Sequence, residues 1–343
     1  MTGGAKVTVA GAGALGLAAA LALADAGCEV TVCDPGGAPS ASAVAAGMLA
    51  PVFEAVLDPA MSGAFDILLA ARDLWPAVEA RAQVALDRSG AMAVGDEVWL
   101  SGVASALVRL GIHGIDLPRS TAQALAPGLS NEFARGFLVR EDWRVEPVSA
   151  LSALHRAAAA TGVTFEQRSV EGLGEADWLV IASGADARLA KLAPELSVLT
   201  PVKGQIARYP AFRDAGVCVR GEGAYVVPGS SGAAVGATME EGVSDTAPDP
   251  VALAPVLAAG ARLFPRLDGA ETRLAAGIRA ATPDGLPLAG LSSAPEVILA
   301  TGARRNGWLL APLVAQIVAA CVTGREAGPW AARLDPRRFG GVA

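Results

Sequence analysis

The chain has 343 residues, 52% hydrophobic and 18% charged, with a formal net charge of −7; that balance buries a large core and excludes a disordered chain. The negative charge and the lack of a basic run exclude a nucleic-acid binder. Two histidines (His113, His155) and four scattered cysteines (Cys28, Cys33, Cys218, Cys321) leave no ligand set for a metal site and little general base for a triad hydrolase.

The length fits two domains or one large α/β body, and the unpaired cysteines fit reduced thiols in a cytoplasmic protein. Residues 6–10 (KVTVA) are a β-branched run of the kind that forms a buried parallel strand. The sequence G-x-G-x-x-G follows at 11–16, then an Ala/Leu-rich helical stretch closed by Gly27, then a second strand at 29–33 that ends at Asp34. Apolar residues 7–24 follow Lys6 like a signal peptide, but three glycines interrupt them and Asp25 follows. Gly11 permits the tight turn, Gly13 lets the backbone approach a pyrophosphate, and Gly16 lets helix and strand pack closely. Asp34, eighteen residues past Gly16, places a carboxylate on an adenosine ribose. These parts together predict dinucleotide binding, without choosing between NAD and FAD.

Residues 40–51 are rich in small side chains, so the backbone can lie close to a flat ring or a phosphate; a flexible loop has the same composition. Residues 62–87 have the apolar spacing of an amphipathic helix, and 217–237 alternate strands with glycine-rich turns. The apolar stretch 308–322 is too short to span a bilayer comfortably.

From SAVAAGML at 42–49 onward, the chain resembles the glycine oxidase and D-amino acid oxidase family of flavoproteins. EDWRVEP at 141–147, LVIASG at 179–184 and PVKG at 201–204 continue the resemblance. YVVP at 225–228, VGATM at 235–239, GIR at 277–279 with Asp284, Gly285 and Pro287, and RNGWLLAP at 305–312 extend it in the family's order. The fold it implies is α/β: a Rossmann-like FAD-binding domain (1–55, 145–198, 276–343) interleaved with an antiparallel-sheet-plus-helices substrate domain (56–144, 199–275).

The resemblance also implies FAD contacts at Ala14, Leu15 and Pro35 beside Gly11, Gly13, Gly16 and Asp34. Further contacts are implied at Ala41, Ser42, Ala46, Gly47 and Met48, at Val170, Ser183 and Gly184, and at Ala303, Arg304, Asn306, Gly307, Trp308 and Leu309. Backbone N–H groups at Asn306 and Gly307 would face the flavin's N1–C2 region, which is compatible with an ordinary Asn-Gly helix cap. Oxidising an α-amino acid needs a carboxylate clamp, and an arginine fork matches two oxygens. Arg279 is the first candidate and Arg305 the second, with Tyr225 adding a hydroxyl and Met239 an apolar wall. Taken alone, Arg279 reads equally as a surface-turn residue, Arg305 beside Arg304 as solvated, and Tyr225 and Met239 as packing.

The chain departs from the family's pattern at Ala303, where histidine is common, and at Gly229, where an arginine often follows the proline; each removes a polar group near the site or its rim. Gly277 lies where sarcosine oxidase relatives carry their flavin-linking cysteine, so FAD should be held non-covalently. The expected reaction takes glycine and O2 to glyoxylate, ammonia and hydrogen peroxide, with the imine serving thiamine thiazole synthesis. A D-amino acid or sarcosine oxidase, or a dehydrogenase passing electrons to a quinone, is the alternative, and a non-catalytic FAD-binding protein the third reading. The partners are then a small amino acid and O2, with no membrane, no nucleic acid and no metal, and homo-oligomer formation left open.

Overall fold

The computed structural model describes residues 4–37, 39–213 and 216–340. Lys6–Ala10 lies inside a six-stranded sheet ordered Leu288–Leu291, Val297–Thr301, Trp178–Ile181, Lys6–Ala10, Glu29–Cys33, Thr164–Glu166. Each neighbouring pair is parallel except the first, which is antiparallel. Leu179, Val180 and Ile181 are all fully buried, as expected of a parallel strand covered on both faces. The helix Ala14–Asp25 carries Ala18, Ala19 and Ala20 on its buried surface, and these small side chains let it pack closely against the apolar helix Gly307–Thr323.

The second sheet has nine strands. Its path runs Glu240–Glu241, Thr200–Tyr209, Gly232–Gly236, Tyr225–Gly229, Cys218–Arg220, Ala91–Val94, Arg135–Val139, Ile115–Pro118. Arg273–Ala281 runs antiparallel along Thr200–Tyr209, with Gly277 opposite Gly204 and Arg279 opposite Val202. Pairing is antiparallel throughout except between Cys218–Arg220 and Ala91–Val94.

Two expectations need correction. Residues 62–87 form two helices, Phe65–Asp73 and Trp75–Ala82. Pro76 has no N–H to continue the first helix, but it fits the first turn of the second. These helices were also placed in the substrate domain (56–144). Ile67, Leu68, Ala71 and Trp75 are instead buried in the same core as Val9, Leu17 and Val314, beneath the six-stranded sheet. Amphipathic spacing shows that a helix has a buried face; it does not show which core receives it. Similarly, residues 276–281 complete the strand Arg273–Ala281 of the nine-stranded sheet, although the expected boundary put them in the FAD half.

Candidate active site

The glycine turn brings the first helix, the second strand and the small-residue segment together. Gly11 has φ of +115°, and a Cβ there would come within 2.5 Å of the Ala182 carbonyl oxygen, so only glycine fits. A Cβ on Gly16 would meet the Gly11 oxygen at 2.0 Å, which is the close helix–strand packing expected. Asp34 accepts from Ala12 N–H (2.8 Å) and Gly36 N–H (2.8 Å), so it braces the turn as well as facing the cleft. Ser42 Oγ accepts from Ala14 N–H at 3.0 Å, and Trp308 Nε1 donates to the Ser42 carbonyl at 3.0 Å.

A cleft of about 320 Å³ opens on this turn. It is lined by Gly11, Gly13, Ala14, Leu15, Asp34 and Pro35 from the nucleotide unit, and by Ala41 and Ser42. Val170, Ser183 and Gly184 form another wall, and Ala303, Arg304 and Gly307 close the far end. A second cavity of about 250 Å³ holds Ala46, Gly47, Met48, Tyr225, Met239 and Asn306. Both are lined by Ala41, Arg279, Arg305 and Trp308, so the two spaces meet there. Gly16 and Leu309 do not line either cavity. Leu309 is fully buried, and its carbonyl accepts from Trp75 Nε1 (3.2 Å); at the fourth position of its turn a side chain points into the helix–helix core.

Residues 303–306 form a turn linking the two sheets. Arg304 has φ of +48°, its N–H donates to the Ala280 carbonyl at 2.8 Å, and Ala303 pairs with Ala281 in an antiparallel bridge. Gly307 then starts the long helix, leaving its first-turn N–H groups without intrahelical partners. Asn306 occupies the N-cap position without a side-chain cap bond, and its Nδ2 is buried without a partner among the described residues. A flat ring edge rich in carbonyl and nitrogen acceptors would satisfy both features. The first helix likewise has no acidic residue in its first turn to repel a pyrophosphate. These residues fit FAD.

Arg279 keeps one face on the cavity while protein atoms enclose its guanidinium. Nη1 donates to the Thr238 carbonyl (3.1 Å) and contacts Met239 Sδ (3.0 Å); among the described residues no carboxylate pairs with it. Burial pushes this guanidinium below its ordinary pKa, with Arg305 adding to the effect. Burial pushes the neighbouring Tyr225 hydroxyl up, which keeps it a neutral donor. A buried guanidinium with no carboxylate partner among the described residues, beside a hydroxyl donor, suits an anion. Met239 therefore contacts the guanidinium directly rather than acting only as an apolar wall.

Arg305 is neither free nor simply solvated. It lies 3.3 Å from Glu54 Oε1 and 3.5 Å from Asp58 Oδ2, and Arg304 pairs with Asp58. Both acids come from the short helix Pro51–Leu57 and its C-cap, and Glu54 also bonds Arg220 Nη2 at 2.6 Å. Asp142 accepts from the N–H groups of Val52 (2.8 Å) and Phe53 (3.1 Å) at the start of that helix, and burial raises its carboxyl to about 7. Sequence reasoning missed Glu54, Asp58, Asp142 and Arg220. A signal existed for one of them: Glu54 is the single acid in the otherwise apolar run 43–57. Arg208, also missed, donates to the carbonyls of Val44 (2.9 Å) and Ala45 (3.0 Å) and so fixes the small-residue segment. Gly229, expected at the rim of the site, lies elsewhere. It lines a separate cleft, where Glu146 Oε1 fills the position of a Cβ at 2.3 Å.

If Asp34 holds both the turn and the ribose, Asp34→Ala should weaken FAD binding by about ten- to hundredfold, equivalent to about 1–3 kcal/mol of charge-assisted bonding. Titrating the apoprotein with FAD measures this. Wild-type affinity in the variant would remove Asp34 from the cofactor site.

A largely parallel sheet with a glycine turn at its strand ends, joined to a mixed sheet whose Arg279 has no carboxylate partner among the described residues, fits the class of flavin-dependent oxidoreductases. The sequence model of the FAD dependent oxidoreductase (DAO) family matches residues 6–321, and the chain belongs to that family. It is an enzyme, and its cofactor is FAD. The chain is 29% identical to a glycine oxidase of Pseudomonas aeruginosa, over 94% of this chain and 95% of that protein. It is 28% identical to the bifunctional protein ThiO/ThiG of Trichormus variabilis, over 97% of this chain but 55% of that protein. It thus spans about half the length of the bifunctional relatives. The crystal structure of glycine oxidase from Geobacillus kaustophilus superposes with a TM-score of 0.83 at 26% identity, covering 97% of this chain and 99% of that one. Among the described residues no helix is long and apolar enough to cross a membrane.

Proposed function

We propose that this chain oxidises a small α-amino acid, glycine foremost, to the imine, which water hydrolyses to glyoxylate and ammonia while O2 is reduced to hydrogen peroxide. The observation that carries this reading is Arg279, a guanidinium enclosed by protein, unpaired with any carboxylate among the described residues, on the wall where the two cavities meet. FAD supplies the hydride acceptor. The chain's own residues bind and orient the substrate. Arg279 takes the carboxylate with its planar fork, Tyr225 donates its hydroxyl to the same group, and Ile206, Leu57 and Met239 line the rest of the space with apolar surface. A histidine base is not required if the amine enters neutral.

The two sheets act as interleaved halves, one for cofactor and one for substrate, and the turn 303–306 serves both. FAD is held non-covalently, because Gly277 offers no atom for a linkage. The resemblance to the bifunctional ThiO/ThiG relatives supports a role of the imine in thiamine thiazole synthesis.

The purified protein should be yellow, acid should release its flavin into the supernatant, and glycine should bleach it under nitrogen more readily than sarcosine or D-alanine. Flavin remaining with the precipitate would defeat non-covalent binding. A flavin that no amine bleaches would defeat the oxidase reading.

A further inference from the structure

Arg279 and Tyr225 account for only one end of an amino acid. The other end is a nitrogen with N–H donors, and it needs an acceptor. Of the charged side chains lining the second cavity (Glu54, Arg220, Arg279, Arg305), Glu54 is the single acid. It is 4% exposed. Its Oε1 already receives Arg220 Nη2 at 2.6 Å and Arg305 Nη2 at 3.3 Å. Its Oε2 is buried and has no hydrogen-bond partner among the described residues. A carboxylate oxygen removed from water and left without a donor is unfavourable. A ligand that brings a donor relieves that cost.

We propose that the Glu54 carboxylate, which lines this cavity, accepts a hydrogen bond from the amino group of the substrate, so that Glu54 and Arg279 recognise opposite ends of one small amino acid. This rests on the amino-acid oxidase reading and extends it. The supports of Glu54 keep it fixed. Its helix, Pro51–Leu57, is held at the N-terminus by Asp142 through the Val52 and Phe53 N–H groups. Arg220 is itself buried and anchors the near oxygen from the strand Cys218–Arg220. Burial pushes the Glu54 carboxyl up, but Arg305, Arg220 and Arg304 outweigh that and hold it below its ordinary range. An acid so stabilised stays an anion, which accepts hydrogen bonds and is a weak base. Its part is therefore recognition and orientation of the nitrogen. Glu54 lines the same cavity as Arg279 and Tyr225.

Acetate has the carboxylate and no N–H, so it uses Arg279 alone, whereas glycine uses both residues. The experiment compares wild-type holoenzyme with Glu54→Gln, which removes the charge at constant shape, and Glu54→Asp, which keeps the charge for Arg220 but withdraws the oxygens. Acetate affinity is read from the flavin absorbance shift, and glycine affinity from the concentration dependence of anaerobic bleaching. Both variants should bind glycine about ten- to hundredfold more weakly, the scale of one charge-assisted hydrogen bond, and acetate within about threefold of wild type. Equal weakening of the two ligands would overturn the proposal and leave Glu54 as a support for Arg220 and Arg305. Unchanged glycine affinity would overturn it too. If the variants do not retain FAD, wild type alone decides: glycine should bind at least tenfold tighter than acetate, and trimethylglycine, which has no N–H, no tighter than acetate. Glycine binding no tighter than acetate sinks the assignment. A wild-type flavin that no amine bleaches defeats the oxidase reading and this one together, whereas bleaching with equal losses defeats only the role of Glu54.

Discussion

Arg279→Ala is expected to lower kcat/KM for glycine by roughly a hundred- to several-thousandfold at unchanged FAD content. The magnitude follows from the pairing: removing one partner of a buried charge pair costs on the order of 3–5 kcal/mol. In the variant, the substrate carboxylate enters a cavity whose remaining cations are already engaged, Arg220 by Glu54 and Arg305 by Glu54 and Asp58. Arg279→Lys should recover little, because an ammonium cannot reproduce two parallel N–H donors. FAD content should hold, since none of the backbone groups of the glycine turn or of residues 303–306 bonds the Arg279 side chain. Flavin bleaching by glycine under nitrogen, at matched flavin content, makes the comparison. Reduction within a few-fold of wild type in Arg279→Ala would move the clamp to another residue.

Gly204→Ala should produce a similar defect without touching a polar group. A Cβ at Gly204 would lie 2.1 Å from Cζ of Arg279 and 2.2 Å from both Nη atoms, so the guanidinium rests on the bare backbone of the facing strand. The obstructed group is the free end of a flexible side chain. It can swing away at little cost to stability, but it then leaves its productive orientation. KM for glycine should therefore rise about ten- to hundredfold, the loss of one good charge-assisted pair, while Tm changes by only a few degrees. A double-mutant cycle gives the decisive comparison. In an Arg279→Ala background the added methyl should have almost no further effect. Additive losses would show that Gly204→Ala acts through something other than Arg279.

Much of the cofactor half was legible because its chemistry is local. The strand, glycine turn, helix and terminal acid at 6–34 each follow from neighbouring residues, and the structure brings them to one cleft. Arg279 and Tyr225 were named through resemblance, and they line one cavity. What the sequence withheld depends on contacts across long separations. Glu54 meets Arg220 and Arg305 from 166 and 251 residues away. Asp142 reaches back 90 residues to Val52. Neither pairing leaves a periodic trace. The helices at 65–73 and 75–82 illustrate the same limit, since their apolar faces fit either core and contacts distant in sequence, such as Trp75 with Leu309, decide between them. Leu309 was named with its neighbours because the turn before it is shared, but the 3.6-residue repeat rotates its side chain into the core.

The turn at 303–306 is tied to the substrate strand through the Arg304 N–H on the Ala280 carbonyl and the pairing of Ala281 with Ala303. Arg279 is one residue before Ala280. A molecule held by Arg279 and a flavin resting on Asn306 and Gly307 would thus bear on the same few peptide units, and each would favour the arrangement that the other needs. Thermodynamic linkage requires the benefit to be mutual: whatever factor the cofactor adds to carboxylate affinity, the carboxylate adds to cofactor retention. With Arg279 as the carboxylate clamp, linkage predicts that FAD is retained more firmly in the presence of substrate than in its absence.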